Sequence, residues 1–533
     1  MSLIVKPPCD EAVIQSTVEI SVPEAYPSQS TGLWVLAATI LGSSMAFIDG
    51  TVVNVALPIL QKDLQATVID AQWVVEAYSL FLSALMLVGG SLGDHYGRKR
   101  VFTLGIVLFT AASVLCGLSP NVEWLIGARA LQGIGGALLI PGSLAILSSV
   151  FDKEHRGQAI GTWSAFTAIT SAVGPVLGGF LVEQAGWRWV FFMNVPLAAV
   201  VLGILFHRVP ESRLEKEKCR RLDPWGALLA TLGLGGIVYG LIEAGNIGFA
   251  RPQTVASLTI GGLALAAFLF GESRNPSPML PLGLFRSSTF TGTNLLTFLL
   301  YGALGAALFF VPFNLIGVQS YTPTQAGAAN LPLILIIFFL SRWSGGLLTR
   351  YGAKLPLIVG PAIASLGFAL FARPGIGGSY WTTFFPAMAV LGVGMALSVA
   401  PLTTTVMESV DMRHAGIASG INNAVARTAG LLAIAVLGLV ALASFKAHLP
   451  ARLATLDLPA GMQNALLAQA NKLVGIEIPG GLNTSTLASL KQAIAESFVS
   501  SFRLVMGISA ALALASSFCS AALIQGQGTV RRG

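Results

Sequence analysis

Gly90-Ser-Leu-Gly-Asp-His-Tyr-Gly-Arg-Lys-Arg100 is a short glycine-bearing turn with one acid and three bases, set between two apolar runs centred near Leu82 and Leu108. Each run approaches the roughly 20 mostly apolar residues that an α-helix needs to cross the hydrocarbon core of a bilayer. So short a turn makes the two helices antiparallel neighbours and places its charges at one membrane surface. Working outward in both directions, apolar runs of this kind centre near Ala46, Leu82, Leu108, Gly136, Ile169, Val200, Leu234, Leu263, Leu304, Phe338, Ala364, Val390, Ala429 and Ala511. The pattern predicts an all-α integral membrane protein with 14 transmembrane helices.

Composition agrees with that count. Of 533 residues, 54% are hydrophobic and 10% charged, against about 25% charged in a typical soluble domain. The 59 glycines and 26 prolines fall largely inside the apolar runs, where helix packing in lipid favours small residues. The net charge of +7 raises the question of a nucleic-acid partner. The bases, however, sit at the ends of apolar runs, so no nucleic acid is expected. Cys9, Cys116, Cys219 and Cys519 are far apart and form no CxxC pair, so neither a metal site nor a disulfide framework is indicated.

With the N-terminus inside, the short even-numbered loops carry 16 Lys and Arg and the short odd-numbered loops carry four, Lys62, Arg188, Arg251 and Arg373. That asymmetry places both termini in the cytoplasm. The expected organisation is a cytoplasmic tail 1–32, an N-terminal six-helix bundle 33–208, a linker 209–223, two inserted helices 224–271 and a cytoplasmic loop 272–288. A C-terminal six-helix bundle 289–523 follows, with a long extracytoplasmic loop 444–497 holding short amphipathic helices, and then a tail 524–533. The two bundles rest on an internal duplication. Leu92 to Lys99 matches Leu347 to Lys354 at an offset of 255 residues, and Asp152 to Gly161 matches Asp411 to Gly420 at an offset of 259. Matched loops eight helices apart imply two six-helix halves with an extra pair between them, an arrangement in which secondary transporters build a site near the membrane midplane.

Four segments of the N-terminal half carry a family resemblance, which Ala418-Ser-Gly-Ile-Asn-Asn-Ala-Val-Ala-Arg427 extends less specifically into the C-terminal half. The turn Gly90 to Arg100 resembles the conserved cytoplasmic loop of the major facilitator superfamily, whose Gly90, Gly93, Asp94, Gly97, Arg98, Lys99 and Arg100 would hold one conformation through ion pairs and release in another. Ile48-Asp-Gly-Thr-Val-Val-Asn-Val-Ala-Leu-Pro58 resembles the signature of the 14-span drug:proton antiporters of that superfamily. Arg129-Ala-Leu-Gln-Gly-Ile-Gly-Gly136 resembles its buried-arginine motif, to which proton coupling is ascribed. Gly174-Pro-Val-Leu-Gly-Gly179 resembles the end of the antiporter motif, with Thr170 where an upstream glycine is usual, and Gly174, Pro175, Gly178 and Gly179 would serve close packing. The resemblance implies a major facilitator fold and export of small amphipathic molecules in exchange for protons, with no cofactor beyond the proton gradient. It also implies a bacterial inner membrane as the location, and a periplasmic adaptor with an outer-membrane channel as partners where the exporter works in a larger assembly.

The residues themselves point to the same chemistry. A charge at membrane depth costs at least about 2.5–3.5 kcal/mol, so such residues are functional candidates. Asp49 in the first helix is too deep to snorkel, and Glu76 lies about a turn into the second, so both are expected in the outer half of the membrane, facing one cavity. Arg129 on the fourth helix is placed to pair with the deprotonated acid. Asp49 is read as the proton carrier, with Glu76 as helper or cation selector. The competing reading for each of the three is a structural hydrogen bond or an interfacial position. Asn54, Phe166 and Arg427 are expected to line the substrate cavity, as are the aromatics Trp73, Tyr78, Trp163 and Phe298.

Other classes lack residues. Gly89-Gly-Ser-Leu-Gly93 formally matches GxSxG but ends a membrane helix instead of joining a strand to a helix. There is no HExxH and no Walker A lysine motif, so no catalytic or metal-binding residues are assigned. A dedicated metabolite or lipid exporter, and a membrane receptor or scaffold without flux, remain the alternatives.

Overall fold

The structure, a computed structural model, describes residues 29–525 apart from 152, 213–222, 276–277, 411–414 and 457. Most of the expected N-terminal tail, Arg213, Arg220 and Arg221 of the linker, Cys9, Cys219 and part of the second duplicated match lie outside the described residues.

The first bundle holds α1 (Gln29–Asp63), α2 (Val68–Tyr96), α3 (Arg98–Gly117), α4 (Val122–Val150), α5 (Lys153–Ala185) and α6 (Trp189–Arg208, broken after one turn). The inserted pair is α7 (Pro224–Ile247) and α8 (Pro252–Arg274). The second bundle holds α9 (Ser288–Val318) and α10 (Leu331–Tyr351, preceded by the short helix Pro323–Ala328). It continues with α11 (Lys354–Phe371), α12 (Tyr380–Glu408), α13 (Ala415–Leu453) and α14 (Thr484–Leu523). Among the described residues 13 helices are long and apolar enough to cross a membrane. The 33-residue α5 takes the remaining position in the predicted order.

Capping residues let the chain turn back within a few residues. Thr67 and Asp70 form a reciprocal capping box at the start of α2, as Thr322 and Gln325 do ahead of α10. Asp223 accepts from the Gly226 N–H with Pro224 in the first turn of α7. The duplicated turns share one backbone feature. Gly97 after α2 and Gly352 after α10 both have positive φ, +108° and +71°, a region that glycine enters without the Cβ penalty.

One boundary differs from expectation. Residues 444–453 continue α13, and α14 begins at Thr484, so the connection shrinks to 454–483 and carries the short helices Ala460–Ala468 and Ala470–Gly475. Before Pro450 the stretch holds no helix-breaking residue, so α13 runs on past the expected boundary and ends three residues after that proline. At 40 residues α14 is about 60 Å long, about twice the hydrocarbon thickness, so its first turns stand clear of the bilayer.

The hydrogen bonds joining the two bundles lie, among the described residues, at the end opposite the Gly90–Arg100 turn. Gln72 donates to the Ile434 carbonyl (2.8 Å), Gln61 to that of Lys472 (3.0 Å), and the Thr324 N–H to Glu183 (3.2 Å). There Gly179 abuts the Pro323 carbonyl and Gly327 that of Pro175, so closely that a Cβ at either glycine would collide with backbone. The halves are therefore sealed at this far end.

Candidate functional site

Inside the seal, Asp49 of α1 meets Arg129 and Gln132 of α4. The Arg129 Nη1 donates to Asp49 Oδ2 and to Gln132 Oε1 (2.8 Å), and Gln132 Nε2 donates to Asp49 Oδ1 (2.9 Å). The arginine Nε donates to the Val74 carbonyl of α2 (3.0 Å), and its guanidinium lies 4.2 Å from the Tyr78 ring centroid. Asp49 and Arg129 are each 1% exposed and Gln132 is fully buried. The pairing of an acid on the first helix with the arginine on the fourth was expected. Gln132 was not singled out, although its place three residues after Arg129, on the same face of α4, is the signal that could have found it.

Close packing builds this pocket. A Cβ at Gly133 would collide with the Tyr78 carbonyl, and one at Gly89 with the Ala137 carbonyl, so α2 and α4 touch backbone to backbone. Tyr78 reaches across to donate to the Ala46 carbonyl of α1 (3.3 Å).

Glu76 does not join the cluster. It is two residues from Tyr78, hence about 200° away around α2 and on the opposite face. It lies between Gln72, which packs on α13 at Ile434 and Gly438, and Trp73 and Leu80, which meet Tyr239 and Gly235 of α7. The expectation that both acids face one cavity is therefore corrected: depth along the helices is similar, but direction is not. Glu76 is fully buried, eight residues past the start of α2 instead of one turn, and neither carboxylate oxygen has a hydrogen-bond partner.

The remaining cavity residues divide. On α1, Gly50 is exposed with no atom within 4 Å of where a Cβ would stand, and Asn54 lies one turn on, donating to the Gly50 carbonyl (3.5 Å). Both line open space between the halves. Asn423 and Arg427 of α13 lie on the same face as Ile434, four and then seven residues apart, and so on the stripe that meets α2 near the seal. Below it Asn423 is exposed and Arg427 half-buried. Phe166 does not line this space. It belongs to the exposed stripe Phe166, Ile169, Val173 and Phe180 of α5, on the side turned away from both α1 and the short helix before α10. Of the other aromatics, Tyr78 packs on Arg129, Trp163 donates to Ser43 (3.1 Å), and Trp73 is turned to α7.

At the end opposite the seal, Asp94 accepts from Arg98 Nε (3.1 Å) and Nη2 (3.0 Å), and Arg98 Nη1 donates to the Ala145 carbonyl of α4 (3.2 Å). The backbone N–H groups of Lys99 (3.0 Å) and Arg100 (3.2 Å) donate to the two oxygens of Glu211, and Lys99 Nζ donates to the Val209 carbonyl (2.8 Å). This turn is thus clamped to α4 and to the chain beyond α6. Glu211 was missed because nothing in its spacing ties it to a turn some 110 residues earlier. Close approach here belongs to Gly97, where a Cβ would press on the Glu211 carboxylate, and to Gly89; Gly90 and Gly93 have only ordinary contacts. In α5, Gly174 and Gly178 pack on Thr51 and Val52 of α1 while Pro175 and Gly179 face the short helix before α10. The Thr170 hydroxyl donates to the Thr167 carbonyl (2.9 Å), so the departure from glycine is accommodated within the helix.

A separate cavity of about 950 Å³ opens at the far end of the second bundle, lined by Val318, Ile376, Val474, Arg452, Glu496 and Arg503 among others. None of its residues belongs to the Asp49 cluster.

With this geometry in hand, the comparisons with known proteins are specific. The Major Facilitator Superfamily profile matches residues 39–435. The multidrug resistance protein Stp of Mycobacterium tuberculosis (strain CDC 1551 / Oshkosh) is 35% identical over 440 residues, covering 82% of this chain and 81% of Stp. The tetracenomycin C resistance and export protein of Streptomyces glaucescens is 32% identical over 489 residues, covering 90% and 89%. The puromycin resistance protein pur8 of Streptomyces alboniger is 35% identical, covering 78% and 83%. Among solved structures, a bacterial homologue of the human lysosomal transporter Spinster, inward-facing and unoccupied, superposes with a TM-score of 0.63 at 18% identity, covering 94% of this chain and all of that one. That likeness concerns the fold.

Proposed function

The chain belongs to the Major Facilitator Superfamily, a family of multi-pass membrane transporters, and we propose that it exports small amphipathic molecules across the bacterial cytoplasmic membrane in exchange for protons. The observation that carries this reading is the buried set of Asp49, Arg129 and Gln132 just inside the end at which the two halves are sealed together. The names of the relatives, resistance and export proteins for several antibiotics, support the substrate class.

In this reading the end bearing Gly90–Arg100 is cytoplasmic, both termini lie inside, and the structure is the inward-facing state after Asp49 has released its proton to cytoplasmic water. The carboxylate left behind is held by Arg129 and Gln132. Glu76, without a donor to compensate a charge, carries a proton in this state. Substrate enters between Asn54 and Arg427, the halves rock, and protonation of Asp49 from outside frees Arg129 from its counter-ion and biases the return. An adaptor, where one is used, would meet the parts of α13 and α14 that stand clear of the bilayer.

The test is efflux from liposomes holding the purified protein under imposed pH gradients of either sign. Flux that follows the gradient in the wild type and is lost in Asp49→Asn supports the proposal. Flux indifferent to the gradient, or unchanged in the variant, removes Asp49 from the coupling path.

A further inference from the structure

Among the described residues, four acidic or basic side chains sit at mid-depth near the inter-half space: Asp49, Glu76, Arg129 and Arg427. The first three are at most 1% exposed, and Asp49 and Arg129 cancel one another's charge. A molecule entering the space can touch none of them. Arg427 is different: half-buried, and with neither a hydrogen bond nor an ion pair among the described residues.

Its direction is fixed by the stripe it belongs to. Seven residues separate it from Ile434, whose carbonyl accepts from Gln72 of α2, so Arg427 points about the same way, toward the first bundle. Its guanidinium lies within electrostatic reach of the Tyr78 hydroxyl, on the face of α2 that carries Arg129. Asn423, one turn away and exposed, donates to the Ser419 carbonyl (3.0 Å) and leaves its own side-chain oxygen open. A cation at membrane depth is retained where it faces a water-filled path or meets a counter-charge, and here no counter-charge lies among the described residues.

We propose that Arg427 is the charge-selecting contact of the export cavity and that the preferred substrates are amphipathic molecules bearing an anionic or strongly electronegative group, such as a carboxylate, sulfonate or enolate. This rests on the transport reading above and deepens it. The planar guanidinium presents several donors to such a group, while a lipophilic cation would meet like charge with no accessible carboxylate among the described residues to offset it. Asn54 across the space supplies a neutral polar contact, and the rest of the substrate rests on apolar wall.

The experiment uses three fluorescent amphiphiles sharing one aromatic body, with a sulfonate, a hydroxyl or a trimethylammonium group. Binding is measured on the full chain in detergent, and efflux on the same protein in liposomes. The wild type is expected to favour the sulfonate over the trimethylammonium probe by about tenfold to a hundredfold in both. Arg427→Lys should keep the preference, Arg427→Gln should erase it while the neutral probe is still carried, and Arg427→Glu should reverse it. Equal or better handling of the cationic probe by the wild type overturns the proposal, as does a preference unchanged in Arg427→Gln. Charge-selective binding without efflux of any probe would sustain the charge assignment while sinking the transport reading, so the two failures are distinguishable.

Discussion

Asp49→Asn replaces one carboxylate oxygen by an NH2 group, and the geometry of the cluster sets the cost of that exchange. The wild-type set is closed: Asp49 accepts from Arg129 on one oxygen and from Gln132 on the other, and Gln132 accepts from Arg129 in turn. An asparagine offers one acceptor and one donor. With its oxygen toward Arg129, its NH2 meets the NH2 of Gln132; flipping Gln132 then turns an NH2 toward Arg129, so no arrangement satisfies all three. The substitution also leaves the guanidinium buried without a counter-ion. Removing one partner of a buried pair costs about 3–5 kcal/mol, so Asp49→Asn should be destabilised by that order. The double variant Asp49→Leu/Arg129→Met removes both charges, a change that is neutral or stabilising by about 1–4 kcal/mol in other buried pairs, and the two hydrogen bonds lost by buried Gln132 offset that by about 1–3 kcal/mol. It should therefore be more stable than Asp49→Asn while equally unable to couple efflux to a pH gradient. The measurement is denaturant unfolding in mixed micelles on wild type, both single variants and the double, with liposome efflux on the same preparations. A single variant as stable as the wild type, or a double variant less stable than either single, would refute the closed-cluster argument.

Gly89→Ala and Gly133→Ala each force a methyl group into the backbone of the facing helix, so each should lower stability by about 1–3 kcal/mol, read as a fall in the unfolding midpoint. Gly90→Ala and Gly93→Ala, with only ordinary contacts, should leave that midpoint within about 0.5 kcal/mol. Glu211→Ala removes the acceptor for the Lys99 and Arg100 backbone N–H groups, an exposed contact within the first bundle, and should lower the unfolding midpoint by about 0.5–1 kcal/mol; an unchanged midpoint counts against the clamp. Gly327→Val should block closure at the seal, so that a disulfide between cysteines placed at Glu183 and Thr324 forms in the parent protein but not in the variant.

What the sequence made legible was one-dimensional. Depth follows from counting apolar residues away from a charged turn, because the solvent itself imposes the length of each helix; the helix order, the turn Gly90–Arg100 and the depth of Asp49, Arg129 and Arg427 were all readable this way. Direction around a helix was not, because it depends on which neighbour occupies which side. Asp49 and Glu76 were placed in the same half of the membrane, yet they point to different partners, one to α4 and the other to α7 and α13. Phe166 and Arg427 were both assigned to the cavity; only the packing of their helices separates the phenylalanine on the exposed stripe of α5 from the arginine in the seam. Gln132 and Glu211 complete the two polar clusters, and each is held by partners whose nearness comes from the fold, across 83 residues for Asp49 and Gln132 and 112 for Lys99 and Glu211. The same logic is why the proposal of charge selection falls on the half-buried Arg427 and not on the fully buried Glu76: a charge selects a ligand only if the ligand can reach it, and reach is a property of direction that a count of residues along one helix does not contain.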